Sequence, residues 1–184
     1  MSIKLAEAII EHQAVIDKLV SLEECLYKVV ELMARCFENK RTVYVCGNGG
    51  SASDAQHFAS ELTGRFEKDR KGYPAVALTT DSSALTAIGN DYGFDHIFSR
   101  QLESLGQEGD VLLVISTSGE SSNLSCVVEK AKQMNIHTIG LLGRNGGRIA
   151  QLVDEAIVVE GHRTSRIQES HIFLLHFLCE AFEV

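Results

Sequence analysis

Five short apolar runs separated by helical stretches constrain this 184-residue chain more than any other feature. They are Thr42-Val-Tyr-Val-Cys46, Ala75-Val-Ala-Leu78, Val111-Leu-Leu-Val-Ile115, Thr138-Ile-Gly-Leu-Leu142 and Ala156-Ile-Val-Val159. A run that does not alternate with polar residues buries both of its faces, as parallel strands do when helices cover each side of the sheet. The expected fold is α/β, a three-layer αβα sandwich around a five-stranded parallel sheet. Two helices precede it. Ile9, Ile10, Val15, Ile16 and Leu19 carry the period of the first, and Leu26, Val29, Val30, Met33 and Phe37 that of the second. Ser21-Leu-Glu-Glu24 reads as a capping box at the start of the second helix. No boundary, repeat or low-complexity segment interrupts the pattern. Residues 1–184 are therefore read as one domain, with 1–40 a helical extension whose surplus apolar surface suits packing in an oligomer.

Composition narrows the function classes. Twenty-five acidic and 17 basic residues give a formal charge of −8, which disfavours a nucleic-acid backbone as partner. The basic residues of Arg65–Lys71 alternate with Glu67 and Asp69 and read as a solvated loop. Five cysteines, an odd number without C-x-x-C spacing, suit reduced thiols better than a disulfide framework. The first residues, MSIKLAEAIIEHQ, carry acids and a helical period rather than a leader's apolar core. The apolar run Ile172–Leu175 is far too short to span a membrane. A cytoplasmic location is expected, with no membrane partner.

Two polar loops follow the first and third apolar runs. In doubly wound sheets ligands bind beyond the carboxyl ends of the strands, at the point where the winding reverses. The loop Ser116-Thr-Ser-Gly-Glu-Ser-Ser122 holds five hydroxyls in seven residues and leads into a helix around Leu124–Met134. A helix N-terminus offers free N–H groups and partial positive charge, so with hydroxyl donors it can hold a phosphate dianion without lysine. Capping alone needs one or two such residues. The other loop, Gly47-Asn-Gly-Gly50, is neither a Walker A nor a dinucleotide fingerprint, because Ala52 stands where a third glycine would be. Its glycines are expected to let backbone approach a ligand, with Asn48 supplying an amide.

If a helix begins near Ser51, His57 and Glu61 share a face one turn apart. On an arbitrary helix that is a wet surface pair, but this helix starts from the ligand loop. Histidine and carboxylate at that spacing can also be two zinc ligands. Near the C-terminus, Arg166-Ile-Gln-Glu-Ser-His171 precedes His176, which lies within an apolar stretch.

The segments CGNGGSASDAQHFASELTGR (46–65), GNDYGF (89–94), GDVLLVISTSG (109–119) and RIQESH with His176 resemble the phosphoheptose isomerases, which are sugar isomerase (SIS) fold enzymes. The resemblance covers nearly the whole chain with matched spacing between motifs. It implies an aldose–ketose isomerase converting sedoheptulose 7-phosphate to D-glycero-D-manno-heptose 7-phosphate through an enediol, the entry to ADP-heptose for lipopolysaccharide or capsule. It also implies a homotetramer with active sites at subunit boundaries, and a zinc cofactor. The implied zinc ligands are His57, Glu61, Gln168 and His176. Implied substrate contacts are Asn48, Gly49, Gly50, Glu61, Asn90, Asp91, Ser116, Thr117, Ser118, Ser121 and Gln168, with Glu61 and His176 as catalytic base and acid. Gln168 and His176 are eight apart, about 12 Å on a regular helix, which is awkward for one metal with bonds of about 2 Å. Either the helix breaks between them or the site draws on more than one subunit.

Two other readings compete. Regulators of this fold that bind the replication initiator resemble the chain in AQHFAS, LTAI and RIQE, but lack an acid at the position of Glu61 and a histidine at that of His176. An isomerase of another sugar phosphate would share the hydroxyl loop but not the His57–Glu61 and Gln168–His176 set.

Overall fold

A computed structural model describes residues 4–183 of the chain. Helix α1 (Leu5–Ile16) leads through a 3-10 turn, Asp17–Leu22, directly into α2 (Glu23–Glu38). The sequence pattern then alternates strand and helix. Strand β1 (Val43–Gly47) precedes α3 (Gly50–Thr63), and β2 (Ala75–Ala77) precedes α4 (Ser82–Tyr92) and α5 (Ser99–Leu105). Next come β3 (Val111–Ser116), α6 (Ser122–Gln133), β4 (His137–Gly143), β5 (Glu155–Val159) and α7 (Thr164–Glu180).

All five strands are parallel, in the order β2-β1-β3-β4-β5. This is the expected five-stranded sandwich. Side chains alternate across the sheet, so one core forms on each face. Val43, Val45, Leu113 and Ile139 pack with Val29 and Met33 of α2, Phe58 and Leu62 of α3, and Leu174 and Leu178 of α7. Tyr44, Cys46, Leu112 and Val114 pack with Leu102 of α5 and Leu124, Val127 and Val128 of α6. The winding reverses between β1 and β3, so the crevice at their carboxyl ends is the favoured ligand position. The two polar loops emerge there.

Two expectations need correction, and one of two alternatives falls away. Ser21 caps nothing, since Leu22 before α2 is itself helical and Ser21 Oγ donates back to the Lys18 carbonyl at 2.8 Å. The preceding 3-10 turn leaves no extended residue there to act as an N-cap. Helix α7 runs unbroken from Thr164 to Glu180, so no break lies between Gln168 and His176. The segment Arg65–Lys71 is not wholly a solvated loop, because Arg70 pairs with Glu183 and both side chains are only 8% exposed.

Candidate active site

The loops after β1 and β3 are tied together across the switch point. Asn48 Nδ2 donates to Asn123 Oδ1, and Asn123 Nδ2 donates back to Asn48 Oδ1, each at 2.9 Å. Asn48 thus spends one amide donor on this brace and keeps one. Asn123, buried in the first turn of α6, is a residue that sequence reasoning missed. The glycines of the first loop serve different ends. Gly49 has φ +58 and faces open space. By contrast, a Cβ on Gly50 would lie 1.9 Å from Gln168 Nε2, and one on Gly47 would lie 2.6 Å from the Ser51 carbonyl. Gly50 therefore admits the Gln168 side chain, and Gly47 admits the neighbouring backbone.

The hydroxyl loop is braced but not used as a helix cap. Ser116 Oγ accepts from Gly119 N at 3.0 Å, and Ser118 Oγ accepts from Glu120 N at 3.3 Å. Ser122 Oγ donates to Asp95 Oδ1, bringing the segment after α4 against the start of α6. Ser121 is the N-cap residue of α6, yet its side chain makes no capping bond. Thr117 and Ser121 are half-buried and keep their hydroxyls for another partner. The N-termini of α3 and α6 both open here; α6 has first-turn N–H groups without backbone partners, whereas at α3 Ser51 and Ala52 donate to the Asn48 and Gly49 carbonyls. Hydroxyls and N–H groups gathered at a helix mouth are donors of the kind that suit an anion. Asn90 and Asp91 stand exposed at the end of α4, where Asn90 Nδ2 donates to Asp91 Oδ1 at 2.8 Å.

Further along α3 lies the second constellation. His57 Nε2 and His176 Nε2 are 2.9 Å apart, and His57 Nε2 is 3.6 Å from Glu61 Oε1. Helices α3 and α7 run side by side in the same direction, so His176 meets His57 while Gln168, two turns earlier, meets Gly50. Between them on α3 stands Asp54, whose Oδ2 is buried without a hydrogen-bond partner. Burial pushes its carboxyl up, and the Gln168 amide and His57 pull it partly back.

Among the described residues, no three His, Cys, Asp or Glu side chains converge closely enough to hold a metal as they stand. His57, His176 and Glu61 stand together, and their donors suit zinc: two imidazole Nε2 atoms and a carboxylate. Two ligands on one tetrahedral zinc lie about 3.3 Å apart, close to the separation of the two rings. Gln168 joins the other end of α3 instead, so three of the four implied ligands gather within one chain and the fourth does not.

The chain matches the SIS domain family model over residues 9–143. A curated relative from Nitratiruptor, named phosphoheptose isomerase, is 50% identical over 182 residues, covering 97% of this chain and 96% of its own. The solved phosphoheptose isomerase of Neisseria gonorrhoeae superposes with a TM-score of 0.92 at 47% identity, covering 98% of this chain and 97% of its own. That of Francisella tularensis gives 0.91 at 35% identity, with 97% and 96% covered. The family model stops before α7, whereas these relatives extend over the part of the chain that carries Gln168 and His176.

Proposed function

This chain belongs to the SIS-domain family, among the phosphoheptose isomerases, and we propose on that premise that it converts sedoheptulose 7-phosphate to D-glycero-D-manno-heptose 7-phosphate. One observation carries the reading. Each chain carries both a hydroxyl loop with uncommitted Thr117 and Ser121, at the mouths of two helices, and, further along α3, a carboxylate and a histidine pair. Phosphate binding and proton transfer are the two tasks that a sugar-phosphate isomerase must combine.

The residue roles follow from chemistry. Thr117, Ser118, Ser121 and the N–H groups opening α6 hold the phosphate, with Asn48 and Gly49 on the opposite side of the crevice. Asn90, Asp91 and Gln168 are assigned to sugar hydroxyls. The Glu61 carboxylate removes a C1 proton from the ketose, giving the enediol, and returns a proton to C2. His176 protonates O2 as the enediol forms, then takes the O1 proton as C2 is protonated, which leaves the aldehyde at C1 and restores both groups. Atoms balance: two protons move and none is lost. His57, Glu61 and His176 would hold a zinc ion, which when bound stabilises negative charge on the sugar oxygens.

A homotetramer with shared sites accounts for two further features. Glu61 lies eleven residues beyond Gly50 in α3, about 16 Å along the axis. An extended heptose phosphate spans only on the order of 10 Å with bonds of about 1.5 Å, which favours a phosphate loop and an acid–base pair supplied by different copies. Apolar surface suited to contact also lies open, with Leu5 74% and Ile10 64% exposed on α1 and Phe94 63% exposed beside α4. Among the described residues no helix is long and apolar enough to cross a membrane, in keeping with a cytoplasmic enzyme. Its product would enter ADP-heptose supply for lipopolysaccharide or capsule.

The test is conversion of sedoheptulose 7-phosphate by the purified protein, followed by NMR. Appearance of the aldose supports the reading. No turnover with zinc supplied sinks it, and other sugar phosphates and protein partners would then be screened against the same hydroxyl loop.

A further inference from the structure

The segment between α3 and β2 touches both groups assigned to proton transfer. Arg70 Nη2 donates to the backbone carbonyl of Glu61 at 2.9 Å, and Nη1 donates to that of Leu62 at 3.1 Å. Four residues earlier, the Phe66 ring lies against the His176 ring with centroids 5.5 Å apart. One carboxylate fastens this segment. Glu183 Oε2 accepts from the backbone N–H of Glu67 at 3.0 Å and from that of Lys68, and Oε1 accepts from Arg70 Nε at 2.9 Å. The Arg70 guanidinium also lies over the Tyr73 ring, 4.9 Å from its centroid.

We infer that Arg70 and Glu183 form a clasp that positions Glu61 and His176 for proton transfer, an assignment that rests on the isomerase reading above. A latch serving stability alone could end anywhere on the surface. This one ends on the backbone of the base and, through Phe66, on the ring of the acid. Charge-assisted bonds to one carboxylate from three donors of a single segment fix that segment's shape. The guanidinium fork then fixes the last turn of α3 in a way an ammonium cannot. The clasp touches neither Thr117 nor Ser121, so it bears on proton transfer rather than on phosphate capture. Both residues are positioning residues.

The test compares the wild type with Glu183→Gln and Arg70→Lys, reading kinetics and the His176 ring-proton NMR signals, which are assigned by their loss in His176→Gln. Expected for both variants is a fall in kcat of at least tenfold, with KM for sedoheptulose 7-phosphate within threefold of wild type. The His176 signals should also shift as Phe66 moves. A double variant, Arg70→Met with Glu183→Leu, removes both buried charges together and so guards against simple unfolding. Folded by its melting curve, it should show the same kcat loss as either single change. Unmoved His176 signals in folded Glu183→Gln overturn the clasp, as does wild-type kcat in the double variant. A wild-type protein with no isomerase activity overturns the isomerase reading alone, because the His176 signals still report the clasp.

Discussion

His57 and His176 meet Nε2 to Nε2 at 2.9 Å across the α3–α7 contact, although 119 residues separate them in sequence. Two ring nitrogens at that distance share one hydrogen, or give it up to a cation. Zinc should therefore depend on this pair. Metal analysis after exhaustive dialysis is expected to find about one zinc per wild-type chain and a loss of at least tenfold in both His57→Ala and His176→Ala. Gln168 packs against Gly50 instead, so Gln168→Ala should retain most of its metal. Equal loss in all three variants would put Gln168 in the ligand set and require it to come from another copy.

Glu61 has the carboxylate that the proposed proton transfer needs, and its side chain is 22% exposed. Replacing it with Gln keeps the shape and removes the base. General base catalysis contributes on the order of 10²–10⁴-fold, so kcat for Glu61→Gln should fall by that factor. KM should stay within a few-fold, since the phosphate loop is untouched. Steady-state kinetics and solvent-deuterium incorporation at C1 would check it; undiminished exchange in the variant would move the base elsewhere.

What the chain disclosed in advance depended on how local the signal is. Unbroken apolar runs and a cluster of hydroxyls can be read within a few residues, and the strands and the loop after β3 follow them closely. The Asn48–Asn123 brace joins positions 75 apart, and Glu183 reaches Arg70 across 113. Neither pairing leaves a periodic trace, so Arg70 is indistinguishable from its solvated neighbours until the fold brings Glu183 to it. The capping box at Ser21 failed for the opposite reason. The local pattern is present, but the preceding turn is already helical and leaves it no cap to make.

Ser121 separates a cap from a ligand group. Were its hydroxyl a helix cap, Ser121→Ala would cost about 1 kcal/mol of stability. It makes no capping bond, so the variant should melt within about 0.5 kcal/mol of wild type. Losing one hydrogen bond to a charged phosphate, worth about 1.5–3 kcal/mol, should raise KM at least tenfold. A lower melting point with unchanged KM would make Ser121 structural.

Gly119 should be intolerant for a backbone reason. It holds φ +70 in the hydroxyl loop, and an added Cβ would stand 2.0 Å from the Gly146 carbonyl oxygen. Gly119→Ala must therefore displace the loop, at a cost of about 1–3 kcal/mol for the strained backbone alone. Both a lower melting temperature and a raised KM are expected, in contrast to Ser121→Ala, where only KM moves. A Gly119→Ala protein with wild-type KM would show that the loop's shape does not govern phosphate binding.

His171 gives the fold an acid-sensitive point. Its ring is wholly buried on α7 and neither nitrogen has a hydrogen-bond partner. Burial lowers its pKa to about 4, with the Leu142 backbone pulling the other way. The folded-state value is depressed, so between pH 6.5 and about 4 the unfolded chain takes up a proton that the folded chain refuses. Stability is then greatest above pH 6.5 and falls as the pH drops through that window, by up to about 3 kcal/mol. His171→Leu removes the titrating group while filling most of the space. Denaturation midpoints measured from pH 7.5 to 4.5 should fall less steeply for the variant than for the wild type. Parallel curves would mean that His171 is protonated in the folded state or finds a partner there, and the acid sensitivity would have to come from the other histidines and the carboxylates.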